Sequence, residues 1–544
     1  MSFIQEFPKL SNPYSSDLWL QWFYQTQLLP QLDKKNLAED FYLMGEEIVT
    51  LLEPQAEMAE KYPPVHIPYS AWGERIDLIE THSAWDLMKH YACQWGLIRD
   101  GYHRPYGEYS RLIQMIKLYL YHPSSALFSC PLAMTDGCAR VIELSQNPYL
   151  LKEVMPHFIT NDPLEFWTSG QWMTEKTGGS DVSNTETIAR PHQESWYQLF
   201  GMKWFTSATT SEVALALARI EGAPPGNKGL SLFFIPVQTP EGKLNHIRIE
   251  RLKNKFGTRA LPTAELTLEG TPALLLGEPG SGIKSIAPLL NITRIYNTVC
   301  SLGYMARALH WMDLYSSVRK AFGKPISEHP LHQKTFLNLH ALKWGLNQIT
   351  FDTLLMWGRS EIHRRTEDLV QLRFLTPLLK LYTGKKVVEV ATEVMEGFGG
   401  QGYIEDTPIP RLVANSHVMP IWEGTTNVLS LDLHRALTKE EGFQLWLERL
   451  KQNPPKSPLL QDIASWIEKS FSHLCPDQLK DFAFLFMDWL VLNNLYNKEQ
   501  YFLEFQGTFT FPYQSFSPQK FYQWVTGFWK EQLTISFLRL KGHY

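Results

Sequence analysis

The sequence predicts a multidomain α+β protein in which an antiparallel β-domain interrupts an otherwise helical chain. Three observations predict it. Helical apolar spacing runs from the N-terminus to about Trp167, short β-branched and aromatic runs fill about 169–277, and helical spacing returns beyond Gly277. At 544 residues the chain is too long for one ordinary core and fits three or four packed domains. We divide it at 1–168, 169–277, 278–437 and 438–544.

In the first segment, Trp85, Leu87, Met88, Tyr91, Ala92, Trp95 and Leu97 recur at three- and four-residue steps and make one apolar face. Leu112, Met115, Ile116, Leu118 and Tyr119 repeat the pattern, and Tyr62-Pro63-Pro64 is a break between segments. In the second segment, strands are expected at 211–220, 230–237, 247–252 and 264–268. Alternation such as Ile247-Arg248-Ile249-Glu250 marks them, and turn clusters such as 222–227 divide them. In the third, stretches 285–318, 331–361, 369–398 and 425–437 are long enough for a helix bundle. In the fourth, Leu459, Leu460, Ile463, Trp466, Ile467 and Phe471 share a helical face. Cys475-Pro476-Asp477 opens another helix, with Pro at a tolerated first-turn position.

Composition narrows the function classes. Hydrophobic residues are 44% and charged residues 20%, which are globular values, and the net charge of −5 supplies no electrostatic drive toward nucleic acid. The start, Met1-Ser2-Phe3-Ile4-Gln5-Glu6-Phe7, lacks a basic stretch followed by an apolar run. The longest apolar stretch, 482–492, contains Asp488 and reaches only half the roughly 20 residues of a spanning helix, so a buried helix is expected. Cys93, Cys130, Cys138, Cys300 and Cys475 form no CxxC pair and fit core packing in a reducing, cytoplasmic setting.

Five segments carry candidate chemistry. Residues 171–181 (QWMTEKTGGSD) combine glycines with hydroxyls, which suits close backbone approach to an anion, although a polar loop would look the same. Residues 203–207 (KWFTS) set a Trp beside a hydroxyl donor, a pairing that can flank a flat ring or simply fill a core. In 319–324 (RKAFGK) Arg319 can hold a phosphate or complement a helix C-terminus. Residues 396–403 (EGFGGQGY) hold four glycines in six residues, more than a helix cap needs, but follow no strand and carry no P-loop lysine. In 421–427 (IWEGTTN) Glu423 precedes a helix start, where an acid is a cap, a dipole partner or a base. Each segment alone leaves its alternatives open.

In this order and spacing the five resemble the acyl-CoA dehydrogenase family, whose T-E-x-x-x-G-S-D, W-x-T, R-x-x-F-G, G-G-x-G and E-G-T segments occur in the same sequence. The resemblance covers about 70–437 and includes the linker 256–263 (FGTRALPT). Lys176 where most of the family has Pro, Trp422 where most have Tyr, Glu396 where Gln is common, and an added C-terminal region resemble the AidB-like branch.

The resemblance implies a helical N-terminal domain, a β-barrel-like middle domain, a four-helix bundle and an extra helical C-terminal domain, with FAD between middle domain and bundle. It implies that Met173 and Thr174 bond the flavin pyrimidine edge, that Ser180 meets the diphosphate, that Trp204 packs on the isoalloxazine and that Thr206 bonds near N5. It places Arg319 and Phe322 on the FAD of a partner subunit, Glu396 and Gly400 near the same diphosphate–ribose stretch, and Thr425 and Asn427 at the adenosine. An acid at 396 beside a diphosphate calls for compensation from Lys385, Lys386 or Arg319. Glu423 is the implied base for the α-proton of an acyl-CoA thioester whose β-hydride passes to the flavin, and Arg294 supports it electrostatically.

An electron-transfer flavoprotein is the implied acceptor and a homotetramer the implied assembly; an oxidase releasing peroxide is a close variant. The rival from a different class is a protective DNA-binding flavoprotein of the alkylation stress response with little turnover. Its tail should be basic, but 438–544 holds 11 Lys+Arg and 11 Asp+Glu. A third reading gives the aromatic tail a packing role, covering the bundle or building a tetramer.

Overall fold

The computed structural model describes residues 5–32 and 36–542. Residues 1–4, which open the stretch read for a targeting signal, lie outside them. The elements the site depends on are, in chain order, helix α1 (Leu18–Phe23), the hairpin β1 (Val65–Tyr69) and β2 (Arg75–Glu80), and helices α2 (Ser83–Gln94), α3 (Ser110–Tyr121) and α4 (Ser129–Ser145). Strands follow: β3 (Ser169–Trp172), β4 (Ile188–Gln193), β5 (Trp196–Ser207), β6 (Val213–Ile220), β7 (Leu230–Pro236), β8 (Ile247–Leu252) and β9 (Thr263–Leu276). Next come α5 (Gly282–Val318), the two-residue strands β10 (Lys320–Ala321) and β11 (Lys324–Pro325), α6 (Pro330–His363), α7 (Thr366–Gly397) and α8 (Thr426–Lys439). The tail contributes α9 (Pro458–Ser470), α10 (Leu479–Asn497), β12 (Phe509–Thr510), β13 (Ser515–Phe516) and α11 (Pro518–Leu540).

Two compact units emerge from the chain. The first comprises Leu51–Pro105 and Ser124–Tyr296. Its sheet runs β3-β6-β4-β5-β9-β7, with β8 on β9, and the additional β6–β7 ladder closes a ring of five strands. Closure leaves no open edge in that ring, which is how a sheet avoids templating aggregation. Most ladders are antiparallel as expected, but β3–β6 and β4–β6 are parallel. Ala214, Ala216 and Ala218 of β6 face Phe233, Ile235, Leu266 and Leu268 in the core, so small side chains on one strand make room for large ones on its neighbours. The β1–β2 hairpin departs from the helical reading of the N-terminal segment. Its five and six residues, one of them Pro68, are too short to override the helical spacing on either side.

The second unit comprises Met1–Thr50, Tyr106–Pro123 and Asn297–Tyr544. Helices α6 and α7 fill its centre, and the tail covers them. Trp529 of α11 is fully buried and donates its indole N–H to the Ala341 carbonyl at 3.0 Å. A Cβ on Gly345 would collide with that indole, so the close crossing of α11 over α6 depends on glycine. The apolar stretch 482–492 lies in α10 and is buried there, its Asp488 accepting from Tyr382 at 2.5 Å and from Ser536 at 2.6 Å. Among the described residues no helix is long and apolar enough to cross a membrane. Among the described residues no disulfide forms; Cys93, Cys138 and Cys300 are buried, whereas Cys475 is exposed at the turn that opens α10.

Candidate active site

In the first unit the segments 171–181 and 203–207 meet. Met173 is buried and Thr174 half-buried just beyond β3, and the Trp204 amide on β5 donates to the Thr174 carbonyl at 3.0 Å. A buried ion pair stands behind this contact. Lys203 Nζ lies 2.7 Å from Glu175 Oε1 and also donates to the Leu217 carbonyl at 2.7 Å. The carboxylate accepts in addition from the Glu186 amide at 2.6 Å and the Thr187 hydroxyl at 2.6 Å. Burial holds the Lys203 pKa below that of a free lysine, with Glu175 opposing the shift. A charge buried this deeply is tolerable only with such partners, so the pair fixes the loop carrying Thr174 on the strand carrying Trp204.

A Cβ on Gly179 would lie 3.1–3.2 Å from the Thr174 side chain, so the glycine leaves Thr174 its position. Ser180 is exposed. Lys253 Nζ sits 3.8 Å from the Trp204 ring centroid and Lys176 Nζ 5.0 Å from it, both at cation–π range. Thr206 departs from the expectation of a hydroxyl bond near a flavin edge. It is fully buried, and its O–H donates to the Ala264 carbonyl at 2.7 Å because the bulge in the β5–β9 ladder turns it onto that strand. Arg294 is half-buried on α5.

In the second unit α7 organises the remaining segments. Arg319 follows the end of α5, half-buried, and Phe322 occupies the tip of the β10–β11 hairpin at φ +50° with 98% of its surface exposed. Tyr315, one turn before Arg319, stacks on Phe398 with ring centroids 4.3 Å apart, which joins the arginine segment to the glycine-rich one. There Gly399 takes φ +62°, and Cβ atoms built on Gly399 and Gly400 meet nothing within 4 Å, so the backbone borders open space. Glu396 is exposed, and burial together with Glu396 and Glu389 raises the pKa of its neighbour Glu393. Lys386 pairs with Glu389 at 2.7 Å, so it does not supply the compensation expected for Glu396.

Glu423 is half-buried in the turn before α8 at φ +57°, followed by Gly424 at φ +102°. A non-glycine residue held left-handed costs about 1–3 kcal/mol unless the surrounding structure holds it there. Buried Lys380 on α7 donates to the Gly424 carbonyl at 2.6 Å, and Asn297 donates to the Met419 carbonyl at 3.1 Å, so both ends of the turn are anchored. Trp422 is half-buried, its indole N–H enclosed without a partner. Thr425 occupies the N-cap position of α8 without using its side chain as a cap, and Asn427 is exposed. Sequence reading missed Glu175, Lys203 and Lys380 as site-building residues. The available signal was a lysine at an inward position of an apolar strand and another amid Leu378, Leu379 and Leu381 on a helix.

Three domain families match the chain: "Acyl-CoA dehydrogenase, C-terminal domain" over 280–438, "Acyl-CoA dehydrogenase, middle domain" over 170–271 and "Adaptive response protein AidB N-terminal domain" over 9–162. Acyl-CoA dehydrogenase family member 11 of Caenorhabditis elegans is 41% identical over 81% of this chain and 73% of its own. AidB of Escherichia coli K12 is 30% identical over 71% of each. Among solved structures, Caenorhabditis elegans ACDH-11 in complex with C11-CoA superposes with a TM-score of 0.89 at 33% identity, covering 97% of this chain and 92% of that one. The Bd2924 apo-form gives 0.88 at 45% identity, covering 92% and 100%. Butyryl-CoA dehydrogenase from Megasphaera elsdenii, at 20% identity and TM-score 0.61, shares the fold over 74% of this chain.

Proposed function

The chain belongs to the acyl-CoA dehydrogenase family, and from that premise we propose that it removes the α-proton of an acyl-CoA thioester with Glu423 as base. It is a FAD-dependent oxidoreductase. FAD when bound supplies the acceptor for the β-hydride. Within each unit the residues suit that group: the Thr174 backbone and Trp204 ring offer a hydrogen-bonding edge beside a flat face, and the open backbone at Gly399 and Gly400 is a cradle that any side chain would begin to fill.

The single observation that carries the assignment is the anchored turn of Glu423. A carboxylate on a left-handed residue, with a buried lysine on the carbonyl of the next residue, Gly424, and a rigid helix after it keeps its direction at little entropic cost on binding. An α-proton is too weakly acidic for a bare carboxylate, so donors to the thioester carbonyl must stabilise the developing enolate. Arg294 supports the site electrostatically. Met173, Thr174, Ser180 and Trp204 hold the flavin end of FAD; Arg319, Phe322, Glu396 and Gly400 serve the diphosphate–ribose stretch; Thr425 and Asn427 serve the adenosine. The exposure of Phe322 fits a ring awaiting another subunit, as in a homotetramer. Electrons pass to an electron-transfer flavoprotein.

The neighbour that carries C11-CoA favours a thioester over nucleic acid as the ligand class. Anaerobic titration of the yellow protein with a panel of acyl-CoA thioesters tests the proposal. Bleaching by at least one is expected, and a protein that binds flavin yet is bleached by none is not a dehydrogenase.

A further inference from the structure

Trp204 carries two ammonium groups on its ring. Lys253 Nζ lies 3.8 Å from the ring centroid and Lys176 Nζ 5.0 Å from it. The attraction of a cation to the negative face of an indole holds both. They arrive from different places in the chain. Lys253 follows directly on β8, whereas Lys176 stands in the loop after β3, two residues beyond Thr174. All of these residues belong to the first unit.

Charge balance separates the two lysines. Lys253 Nζ lies 2.8 Å from Glu265 Oε1 on β9, an oxygen that Arg251 also approaches at 2.7 Å. Behind the loop, Lys203 and Glu175 offset each other at 2.7 Å. Lys176 has no such counterpart. It is exposed, and among the described residues no carboxylate oxygen lies within 4 Å of its Nζ; its contact is the Trp204 ring. Lys176, Lys253 and Arg251 against Glu265 alone leave the surroundings of the indole positive. Lys176 is thus the uncompensated cation at the two residues proposed to hold the flavin end of FAD. It is joined to Thr174 by sequence and to Trp204 by contact.

We infer that Lys176 is a positioning charge that holds the reduction potential of bound FAD above the value a neutral side chain would give. The inference rests on the reading that Trp204 packs against the flavin. Reduction adds negative charge to the flavin, and a fixed cation nearby stabilises that state over the oxidised one. Pro, which most of the family carries at this position, supplies no such charge. Because Lys176 is exposed, salt screens part of the effect, which therefore falls as ionic strength rises. A charge at this range is worth about five- to tenfold in the ratio of reduced to oxidised FAD at a fixed potential, or about 20–30 mV for a two-electron couple.

Potentiometric titration of the full-length, FAD-loaded protein, followed by flavin absorbance against a reference dye at low salt, tests this. Lys176→Met should lower the potential by about 20–30 mV, Lys176→Glu by about twice that, and Lys176→Arg should keep the ratio within about twofold of the unaltered protein. The Met shift should shrink in 1 M salt, where the screening length is about 3 Å. The flavin spectrum of Trp204→Leu checks the underlying reading separately, since the visible bands must move when a packed indole is removed. Unmoved bands would remove that reading and the inference with it. Moved bands with an unchanged or raised potential in Lys176→Met, or an Arg variant that shifts as far as Met, would overturn the inference alone.

Discussion

Replacing Asp488 by Asn should stabilise the tail-covered bundle at neutral pH and leave it unchanged in acid. Asp488 is fully buried in α10 and takes hydrogen bonds from Tyr382 and Ser536. Burial pushes its carboxyl up from 3.8 to about 6, against the opposing pull of those two bonds. The folded carboxyl thus keeps its proton between pH 4 and 6, where the unfolded one gives it up. The folded state binds more protons in that window, so stability falls as pH rises through it and is flat above about pH 7. A shift of just over two units amounts to about 3 kcal/mol at pH 8, with roughly half already lost at pH 5. Asn cannot ionise and still accepts from Tyr382. Its unfolding temperature should exceed that of the unaltered protein by about 3–5 °C at pH 8, and the two should converge near pH 4. Differential scanning fluorimetry of both proteins across pH 4–8 measures this. An Asn variant that melts lower at pH 8, or a difference independent of pH, would refute the assignment of a costly buried carboxylate.

Lys203→Met leaves Glu175 charged and unpaired behind Thr174. It should destabilise the first unit by about 3–5 kcal/mol, read by urea unfolding, and release FAD, read by the flavin fluorescence of the filtrate. Lys380→Met removes the anchor of the Glu423 turn. It should lower kcat about 10–100-fold with flavin content intact, because misaligning a base slows proton transfer without removing it. Gly345→Ala sets a methyl against Trp529. It should loosen α11, exposing it to limited proteolysis at a protease level that spares the unaltered protein.

The long helices of the bundle were legible because each keeps apolar spacing over many turns; 331–361 became Pro330–His363 and 369–398 became Thr366–Gly397, the first opening at a proline and the second closing at a glycine. Strands with clear alternation were equally plain, and 247–252 matches β8. Strand β5 was not read as one, because Gly201 and the inward Lys203 break its alternation, and Lys203 makes sense only beside Glu175, 28 residues earlier. Long-range pairing has no local signature. The same holds for Lys380, whose partner lies 44 residues away. The segments around Thr174 and Trp204, and those around Arg319 and Gly400, were individually weak; what joins them is one backbone hydrogen bond in the first case and a stacked Tyr315–Phe398 pair in the second. Thr206 shows the limit of motif reading, since a ladder irregularity decides which way its hydroxyl points.

The central claim is that the left-handed turn of Glu423 presents the base that starts thioester oxidation. It is tested most directly by stopped-flow flavin absorbance, comparing the unaltered protein with Glu423→Gln under anaerobic conditions and the same acyl-CoA. The account predicts rapid bleaching in the first and a loss of at least about a hundredfold in rate in the second, with FAD content unchanged. Equal bleaching by both proteins would contradict it.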